Sequence, residues 1–224
     1  MIIFGKQLVF HVLQKHSEQI QTIYLAKDVE KSVFNMIKKH GKKIEKLDFK
    51  KAQALARGGN HQGFLALVED FELAKFSDLK LLDRLVVLYG ISDVGNIGSI
   101  IRTAYALGAD GLVIIAKNLA IDGVMRASCG AAYELPIALV NDGLSALNEL
   151  KQSGFEIYAA DANGSKINKK AEKFVLVMGS ESDGIPKKAL EKCDKIARIE
   201  MRSDWDSLNV SVAFGILFDR MING

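Results

Sequence analysis

Three short polar segments of the chain carry residue types that can bind and orient a polar substrate. They are Asp93–Arg102, Gly179–Gly184 and Ser207–Ser211, and each follows an apolar, strand-like run. Where a strand gives way to a helix, side-chain acceptors and the free backbone N–H groups of the first helical turn can both face a ligand. The three segments therefore predict a site for a polar or anionic group.

The first polar segment contains a cation that could face an anion. Arg102 lies four residues beyond Gly98, about one turn into the predicted helix, so its guanidinium could point back towards a group held near the loop. Gly95 and Gly98 lack the spacing of the dinucleotide fingerprint, which disfavours a nicotinamide enzyme. Taken alone, the segment is also typical of a helix capped by Asp93 or Asn96 with a surface arginine.

The second polar segment combines a carboxylate with two glycines. Gly179 and Gly184 allow the backbone to approach a ligand closely or to adopt a positive φ, and Glu181 lies between them. An ordinary strand–turn–helix connection, in which Ser182 or Asp183 only caps the next helix, is the alternative interpretation.

Six apolar runs with helical patterns between them must position these segments. Runs that are apolar at nearly every residue are buried on both faces, as a parallel sheet between two layers of helices requires. Residues 83–224 are therefore predicted to form a doubly wound α/β domain, in which ligands bind beyond the carboxyl ends of the strands. The runs are Leu85–Ile91, Gly111–Ala116, Ile137–Val140, Glu156–Ala160, Phe174–Met178 and Ile196–Met201.

The first 70 residues differ from the rest in pattern and in charge. Residues 1–60 contain 12 lysines and arginines against 5 acidic residues, whereas residues 61–224 contain 18 against 22. Such a basic surface can neutralise phosphates, and a solvated lysine face is the alternative. Residues 1–70 are predicted to be a small α/β unit and residues 71–82 a linker. The predicted helices and strand-like runs are Gly5–His16, Ile20–Ala26, Lys31–His40, Lys43–Leu47 and Gly63–Val68.

The composition limits the class of protein. The 224 residues are 49% hydrophobic and 25% charged, which is typical of a folded globular protein. No apolar run reaches the roughly 18 residues of a membrane span, and Met1–Gly5 lack a signal-peptide pattern, so a cytoplasmic location is expected. Cys129 and Cys193 have neither metal-ligand spacing nor the density of a disulfide scaffold, which fits a reducing compartment.

Together, the three polar segments resemble the motifs of the SpoU (TrmH) branch of the SPOUT RNA methyltransferases, and most closely the bacterial 23S rRNA guanosine-2′-O-methyltransferases of the RlmB type. Three further segments extend the resemblance over essentially the whole chain. The motifs are Asn96-x-Gly98-x-x-x-Arg102-Thr103-Ala104, Gly179-Ser180-Glu181-x-x-Gly184 and Ser207-Leu208-Asn209-Val210-Ser211. The further segments are Ser128-Cys129-Gly130-Ala131, Gly5-Lys6-Gln7-x-Val9 and His61-Gln62-Gly63-Phe64.

The resemblance implies a particular α/β architecture and a particular cofactor. It implies a C-terminal parallel-sheet SPOUT domain with a deep trefoil knot, preceded by a small N-terminal α/β RNA-binding domain that resembles a ribosomal protein. It further implies S-adenosylmethionine as methyl donor, no metal, RNA as the partner, and a homodimer whose active sites lie close to the subunit interface. The cofactor contacts that it implies are Gly179, Ile199, Met201 and Leu208.

The resemblance also implies roles in methyl transfer to a ribose 2′-hydroxyl. A sulfonium methyl group is already electrophilic, so the enzyme has mainly to place the hydroxyl in line and help it lose its proton. Arg102 would lie nearest the hydroxyl and, since arginine is effectively always protonated, would act mainly electrostatically; action as the formal base is the alternative that stays open. The residues implied to position the ribose and orient the polar network are Asn96, Glu181, Ser207 and Asn209.

The sequence departs from the usual motifs at three positions. Glu200 stands where the family usually has a proline, and Ser203 and Ser182 stand where it commonly has glycines. The polar residues of the motifs are all kept, which favours the same reaction. The predicted target is a guanosine of 23S rRNA. Two alternatives stay open: a tRNA ribose 2′-O-methyltransferase of the same branch, and a non-catalytic RNA-binding or ribosome-assembly protein.

Overall fold

The computed structural model describes residues 1–167, 172–204 and 207–224, which form two sheets flanked by helices. The strands are β1 (Ile2–Phe4), β2 (Ile20–Leu25), β3 (Lys43–Lys46), β4 (Phe64–Val68), β5 (Arg84–Tyr89), β6 (Gly111–Ile115), β7 (Ile137–Val140), β8 (Glu156–Lys166), β9 (Phe174–Gly179) and β10 (Lys195–Arg198). The α-helices are α1 (Lys6–Lys15), α2 (Lys31–Lys39), α3 (Phe49–Leu55), α4 (Phe76–Leu79), α5 (Val94–Ala106), α6 (Ile121–Ala127), α7 (Gly143–Gln152), α8 (Lys187–Leu190) and α9 (Val210–Asn223). Of the helices described, none combines the length and the apolar character that a membrane crossing needs.

The N-terminal sheet is mixed, with the strand order β1-β4-β2-β3. Strands β1 and β2 both run antiparallel to β4, while β2 is parallel to β3. The sequence patterns predicted β2, β3, β4, α1 and α2 close to their observed bounds. They missed β1, because a strand of three residues is too short to show a period.

The C-terminal sheet is parallel throughout, with the strand order β10-β8-β9-β5-β6-β7. Side chains of β5 alternate between its two faces: Val86 and Leu88 share a core with α5 and α9, whereas Leu85 and Val87 share one with α7. All four of these side chains are fully buried. The parallel sheet buried on both faces, as predicted from the apolar runs, is confirmed.

Two strands differ from the prediction at one edge of this sheet. Strand β8 continues to Lys166, and β10 ends at Arg198 although its apolar run continues to Met201. β10 lies at the sheet edge beside β8, and the register of the pair shifts midway along it. Strand β10 ends soon after this shift, so Ile199 and Met201 lie in the loop that follows. The knot implied by the resemblance involves this loop, of which residues 205–206 lie outside the described residues.

Residues 71–82, which connect the two sheets, pack against the C-terminal sheet. They contain α4, whose Leu79 is buried in the core beneath β5 and β6. The backbone N–H of Ala74 donates a hydrogen bond to the carbonyl of Ile137 on β7 at 2.8 Å. The connection is therefore packed onto the C-terminal domain as well as joining the two sheets.

Two glycines of the motif segments permit close contacts between elements. A Cβ atom at Gly98 would lie 2.3 Å from the Cβ of Ala127, so α5 and α6 can approach only because this position has no side chain. At Gly130, where φ is 94°, a Cβ would lie 2.6 Å from Cδ2 of His11. Packing alone therefore requires glycine at two positions of the motif segments.

A carboxylate shared between two histidines joins the N-terminal unit to the C-terminal domain. His11 on α1 and His16 just beyond it each place Nε2 2.8 Å from Oε1 of Glu134. An ionised carboxylate only accepts hydrogen bonds, so both imidazoles donate. Burial by itself raises the pKa of Glu134, but the hydrogen bonds and charges of His16 and His11 outweigh it and hold the pKa below the usual 4.5.

We expect Glu134→Gln to lower the free energy of unfolding by about 1–2 kcal/mol at neutral pH, because a neutral amide accepts weaker hydrogen bonds than a carboxylate. Since the pKa of Glu134 is lower in the folded state, its ionised form contributes stability above about pH 4.5, and this contribution disappears as the pH falls through the folded-state value. Urea unfolding of both proteins at a series of pH values measures the difference. A difference of the same size in acid and at neutral pH would contradict the assignment.

Candidate active site

The first two polar loops meet because their strands are neighbours. Strands β5 and β9 pair in parallel up to Tyr89 and Gly179, so both end at the same edge of the sheet. Helix α5 begins just beyond β5, and Asp93 caps it by accepting a hydrogen bond from the backbone N–H of Asn96 at 2.7 Å. Because Asp93 provides the cap, the side chain of Asn96 can turn towards the second loop.

Side chains from three separate segments form a closed set of hydrogen bonds, which we call the amide–carboxylate triangle: Asn96, Glu181 and Asn209. Nδ2 of Asn96 donates to Oε1 of Glu181 at 3.0 Å, and Nδ2 of Asn209 donates to the same oxygen at 3.1 Å. Nδ2 of Asn209 also donates to Oδ1 of Asn96 at 2.9 Å, although the two residues are 113 positions apart in the chain. The structure thus brings together three of the residues that the sequence indicated.

Asn209 reaches the triangle from the start of α9. Its Oδ1 accepts hydrogen bonds from the backbone N–H of Ser211 at 2.9 Å and from the Ser211 hydroxyl at 2.6 Å, so the residue also caps the helix. In the sheet, β8 separates β10 from β9. The loop after β10 must therefore cross the sheet edge to deliver Asn209 to the other two loops.

The second loop is a tight turn built around its glycines. The backbone N–H of Gly184 donates to the carbonyl of Ser180 at 3.0 Å, and Gly184 has a φ of 64°. A Cβ atom at Gly179 would lie 2.3 Å from the carbonyl carbon of Gly184, so the turn folds directly over that residue. Helix α8 has Pro186 as its N-cap, so the alternative in which Ser182 or Asp183 caps it is wrong. The turn instead presents Glu181 to the triangle.

A cleft of about 850 Å³ opens beside the triangle. Its lining includes all four residues for which the resemblance implied cofactor contacts, together with two of the implied catalytic residues. These six are Gly179, Ile199, Met201, Leu208, Glu181 and Ser207. The volume is in the range of pockets that bind small molecules. Glu181 belongs to both the cleft and the triangle, so the two features form one site.

Arg102 does not line the cleft that the residues of one chain form. The residue is exposed on α5, and it is not among the residues that line the described cleft. Helix α5 therefore presents Asn96 to the triangle and Arg102 to solvent. An exposed guanidinium is available to a large anionic partner that approaches from outside.

The sequence patterns missed Arg220, a further residue of the cleft. It lies near the end of α9, and its Nη1 is buried with no hydrogen-bond partner among the residues that the structure describes. A buried N–H group without a partner is unfavourable, and an anionic ligand group would accept a hydrogen bond from it. The signal that could have found it is an arginine that follows Asp219 directly after the apolar run Val212–Phe218.

Comparison with known protein families assigns both parts of the chain. Residues 83–219 match the SpoU rRNA Methylase family, and residues 2–74 match a domain described as RNA 2′-O ribose methyltransferase substrate binding. The Bacillus subtilis (strain 168) protein YacO, assigned to the TrmH family of tRNA/rRNA methyltransferases, is 32% identical over 96% of this chain and 92% of its own length. A Staphylococcus aureus (strain MSSA476) protein with the same assignment is 32% identical over 88% of this chain and 86% of its own length.

Solved structures share the fold over nearly the whole chain. An rRNA methyltransferase from Sinorhizobium meliloti with bound AdoMet, which is S-adenosylmethionine, superposes with a TM-score of 0.79 at 25% identity and covers 98% of this chain and 85% of its own. The SpoU methyltransferase AviRb from Streptomyces viridochromogenes, also with AdoMet, superposes with a TM-score of 0.78 at 19% identity, covering 100% of this chain and 89% of its own.

The family match spans the triangle and every lining residue of the cleft except Arg220. The SPOUT fold with an N-terminal substrate-binding domain, implied by the resemblance, is confirmed, and S-adenosylmethionine is the methyl donor. The chain therefore belongs to the SpoU methylase family and is an RNA methyltransferase.

Proposed function

We propose that this chain transfers a methyl group from S-adenosylmethionine to a ribose 2′-hydroxyl of RNA. The observation that carries the proposal is the meeting of the amide–carboxylate triangle with the cleft at Glu181. A polar network that can hold an acceptor hydroxyl is thereby placed beside a pocket suited to the donor. The match of residues 2–74 to a ribose 2′-O methyltransferase substrate-binding domain supports a ribose acceptor.

The residues that line the cleft suit a donor with apolar and charged parts. Ile199, Met201 and Leu208 offer apolar surface, and Gly179 contributes only main chain. Arg220 offers a cation that can pair with a carboxylate. When bound, S-adenosylmethionine supplies a methyl group that its sulfonium makes electrophilic. We assign Gly179, Ile199, Met201 and Leu208 to holding it, and the proposed reaction uses no metal.

The acceptor hydroxyl is a weak nucleophile, so the polar residues must hold its oxygen in line with the methyl group and stabilise it while its proton passes to water and S-adenosylhomocysteine leaves. Glu181 accepts hydrogen bonds from Asn96 and Asn209 and so holds both amides in one orientation. Ser207, which lines the cleft, adds a hydroxyl that can bind the sugar. We assign Asn96, Ser207 and Asn209 to positioning the ribose and Glu181 to orienting the amides.

Arg102 is assigned an electrostatic role towards the RNA. Its guanidinium stays protonated, so it can hold the phosphate beside the reacting ribose and stabilise negative charge on the oxygen. Its exposure on α5 leaves it accessible to an RNA backbone.

We also propose that the chain forms a homodimer through helices α5 and α9. Tyr105 on α5 and Val212 on α9 are 42% and 51% exposed, and both offer apolar surface to a second copy.

The proposed target is a guanosine of 23S rRNA in the cytoplasm, and the alternative is a tRNA nucleotide. The strongly basic first 60 residues suit a large folded RNA. Ribose methylation mapped in 23S rRNA and tRNA from a deletion strain tests both targets. Loss of one 2′-O-methylguanosine from 23S rRNA would support the first, whereas loss from tRNA alone would support the second. Unchanged methylation of both RNAs would contradict the proposed activity.

Arg102→Ala is expected to lower the single-turnover rate of methyl transfer about 10²- to 10³-fold, because an electrostatic group at the developing negative charge is removed. Binding of S-adenosylmethionine should stay nearly intact, since Arg102 does not line the described cleft. Quench-flow with saturating RNA gives the rate, and calorimetry gives the cofactor affinity. A variant with a near-normal transfer rate would refute this role, and Arg102→Lys tests whether charge alone suffices.

Glu181→Ala is expected to lower kcat about 10²-fold, because both amides of the triangle lose the acceptor that orients them. The matched control is Asp183→Asn, which removes a carboxylate from the same turn that accepts a hydrogen bond from Ser182 instead. Steady-state methylation of RNA at saturating donor measures both variants. Equal losses in the two variants would show that the turn, and not the triangle, controls the rate.

A further inference from the structure

The N-terminal unit contains a second pocket, which lies at the loop between α3 and β4 and is separate from the cleft. We call it the N-terminal pocket; its volume is about 510 Å³. Its lining combines an aromatic ring, an imidazole, side-chain amides and a lysine. The lining residues that matter here are Lys27, Phe49, Gln53, Asn60, His61 and Gln62. Such a set can contact both the face and the polar edges of a flat heterocycle.

Side-chain hydrogen bonds hold the loop of this pocket in one shape. Oε1 of Gln62 accepts from the backbone N–H of Lys6 at 3.0 Å, which fastens the loop to the start of α1. Oδ1 of Asn60 accepts from the backbone N–H of Gln62 at 3.2 Å. Gln62 has a φ of 52°, a conformation that is unfavourable for a residue with a side chain. Backbone strain of this kind persists only where the surroundings impose it.

His61 supplies an unsatisfied donor in the pocket. The residue is only 4% exposed, and its Nδ1 accepts the backbone N–H of Gly63 at 3.0 Å. A neutral imidazole that accepts at Nδ1 carries its proton on Nε2. That Nε2 is buried and has no hydrogen-bond partner among the residues that the structure describes. A buried donor without a partner is unfavourable, so a ligand acceptor that reached it would be bound with a gain.

Phe49 offers an exposed aromatic surface next to this histidine. It is the first residue of α3 and is 68% exposed, and its ring centroid lies 5.4 Å from that of His61. Lys50 and Lys51 follow it directly, and Lys27 lines the same pocket. Exposed aromatic rings among lysines are the usual means by which proteins bind unpaired nucleotides, since every base has a face that can stack.

We propose that the N-terminal pocket binds one unpaired nucleotide of the RNA substrate, with the base stacked on Phe49 and an acceptor of the nucleotide bound by Nε2 of His61. Lys27, Lys50 and Lys51 neutralise the adjoining phosphates. The proposal rests on the proposed function, because it takes RNA to be the substrate. It adds that the N-terminal unit distinguishes single-stranded from paired RNA, which a merely basic surface does not do.

The test uses the full chain with a fluorescent single-stranded RNA decamer of mixed sequence and with the same decamer paired to its complement. Phe49→Ala should raise the Kd for the single strand roughly 5- to 150-fold, the range that removal of one stacked base gives, and leave the Kd for the duplex unchanged. Phe49→Tyr should bind like the unchanged protein. The control Leu81→Ala removes a side chain that is 82% exposed and lies outside the pocket lining.

The salt dependence separates stacking from charge. Phe49→Ala should leave the slope of log K against log salt unchanged, because stacking releases no counterions, whereas Lys50→Gln with Lys51→Gln should make it shallower by about 0.7 for each phosphate that the lysines no longer neutralise. In proton NMR spectra, the Nε2–H signal of His61 should shift when the single strand binds. An unchanged Kd in Phe49→Ala, an equal loss of affinity for strand and duplex, or a His61 signal that does not move would each overturn the proposal.

Failure of this pocket can be distinguished from failure of the proposed function. Methylation of deproteinised 23S rRNA is measured with the same variants, and Phe49→Ala should raise KM for the RNA while kcat at saturation stays the same. An unchanged KM would contradict nucleotide binding in the N-terminal pocket without contradicting the proposed methyl transfer. If the unchanged protein methylated neither 23S rRNA nor tRNA, the proposed function would fail, while the decamer measurements would still decide whether the pocket binds a nucleotide.

Discussion

The parallel pairing of β5 with β9 is the constraint on which the site depends. It brings the ends of two strands that lie far apart in the chain to neighbouring positions at one sheet edge, at Tyr89 and Gly179. The segments that follow the two strands face each other, and a hydrogen bond joins Asn96 to Glu181, which are 85 positions apart in the chain. Any change in this register would move one turn along the sheet edge and separate the two side chains.

The triangle is a means of orientation more than a source of stability. A hydrogen bond to a charged group contributes about 1.5–3 kcal/mol when protected from water, and less at an exposed site such as Glu181. Under the proposed function its value lies in fixing two amides in advance, since groups that are already oriented need no rearrangement when charge develops. Asn209 is held twice, because it also caps α9, and this ties the active-site geometry to the longest helix of the domain.

The contact between the two units matters for how RNA is presented. His11 and His16 bind Glu134. Because Gly130 has no side chain, the ring of His11 can also pack directly against its backbone. The segment that contains α4 packs against the C-terminal sheet. These contacts join the basic N-terminal unit directly to the domain that contains the cleft. A substrate that contacts both surfaces is selected by its shape as well as by its charge.

The parallel sheet, the two-part distribution of charge and the polar residues proposed for the site could all be predicted from the sequence alone. These are local properties. A run that is apolar at nearly every residue indicates burial on both faces, and the spacing of the motif residues can be seen within each short segment. Four features could be found only from the folded structure. They are the end of β10, the exposed position of Arg102 and, among the residues described, the buried Nη1 of Arg220 and Nε2 of His61 that have no hydrogen-bond partner. Each depends on which distant residues come into contact, and a linear pattern of side chains does not contain that information.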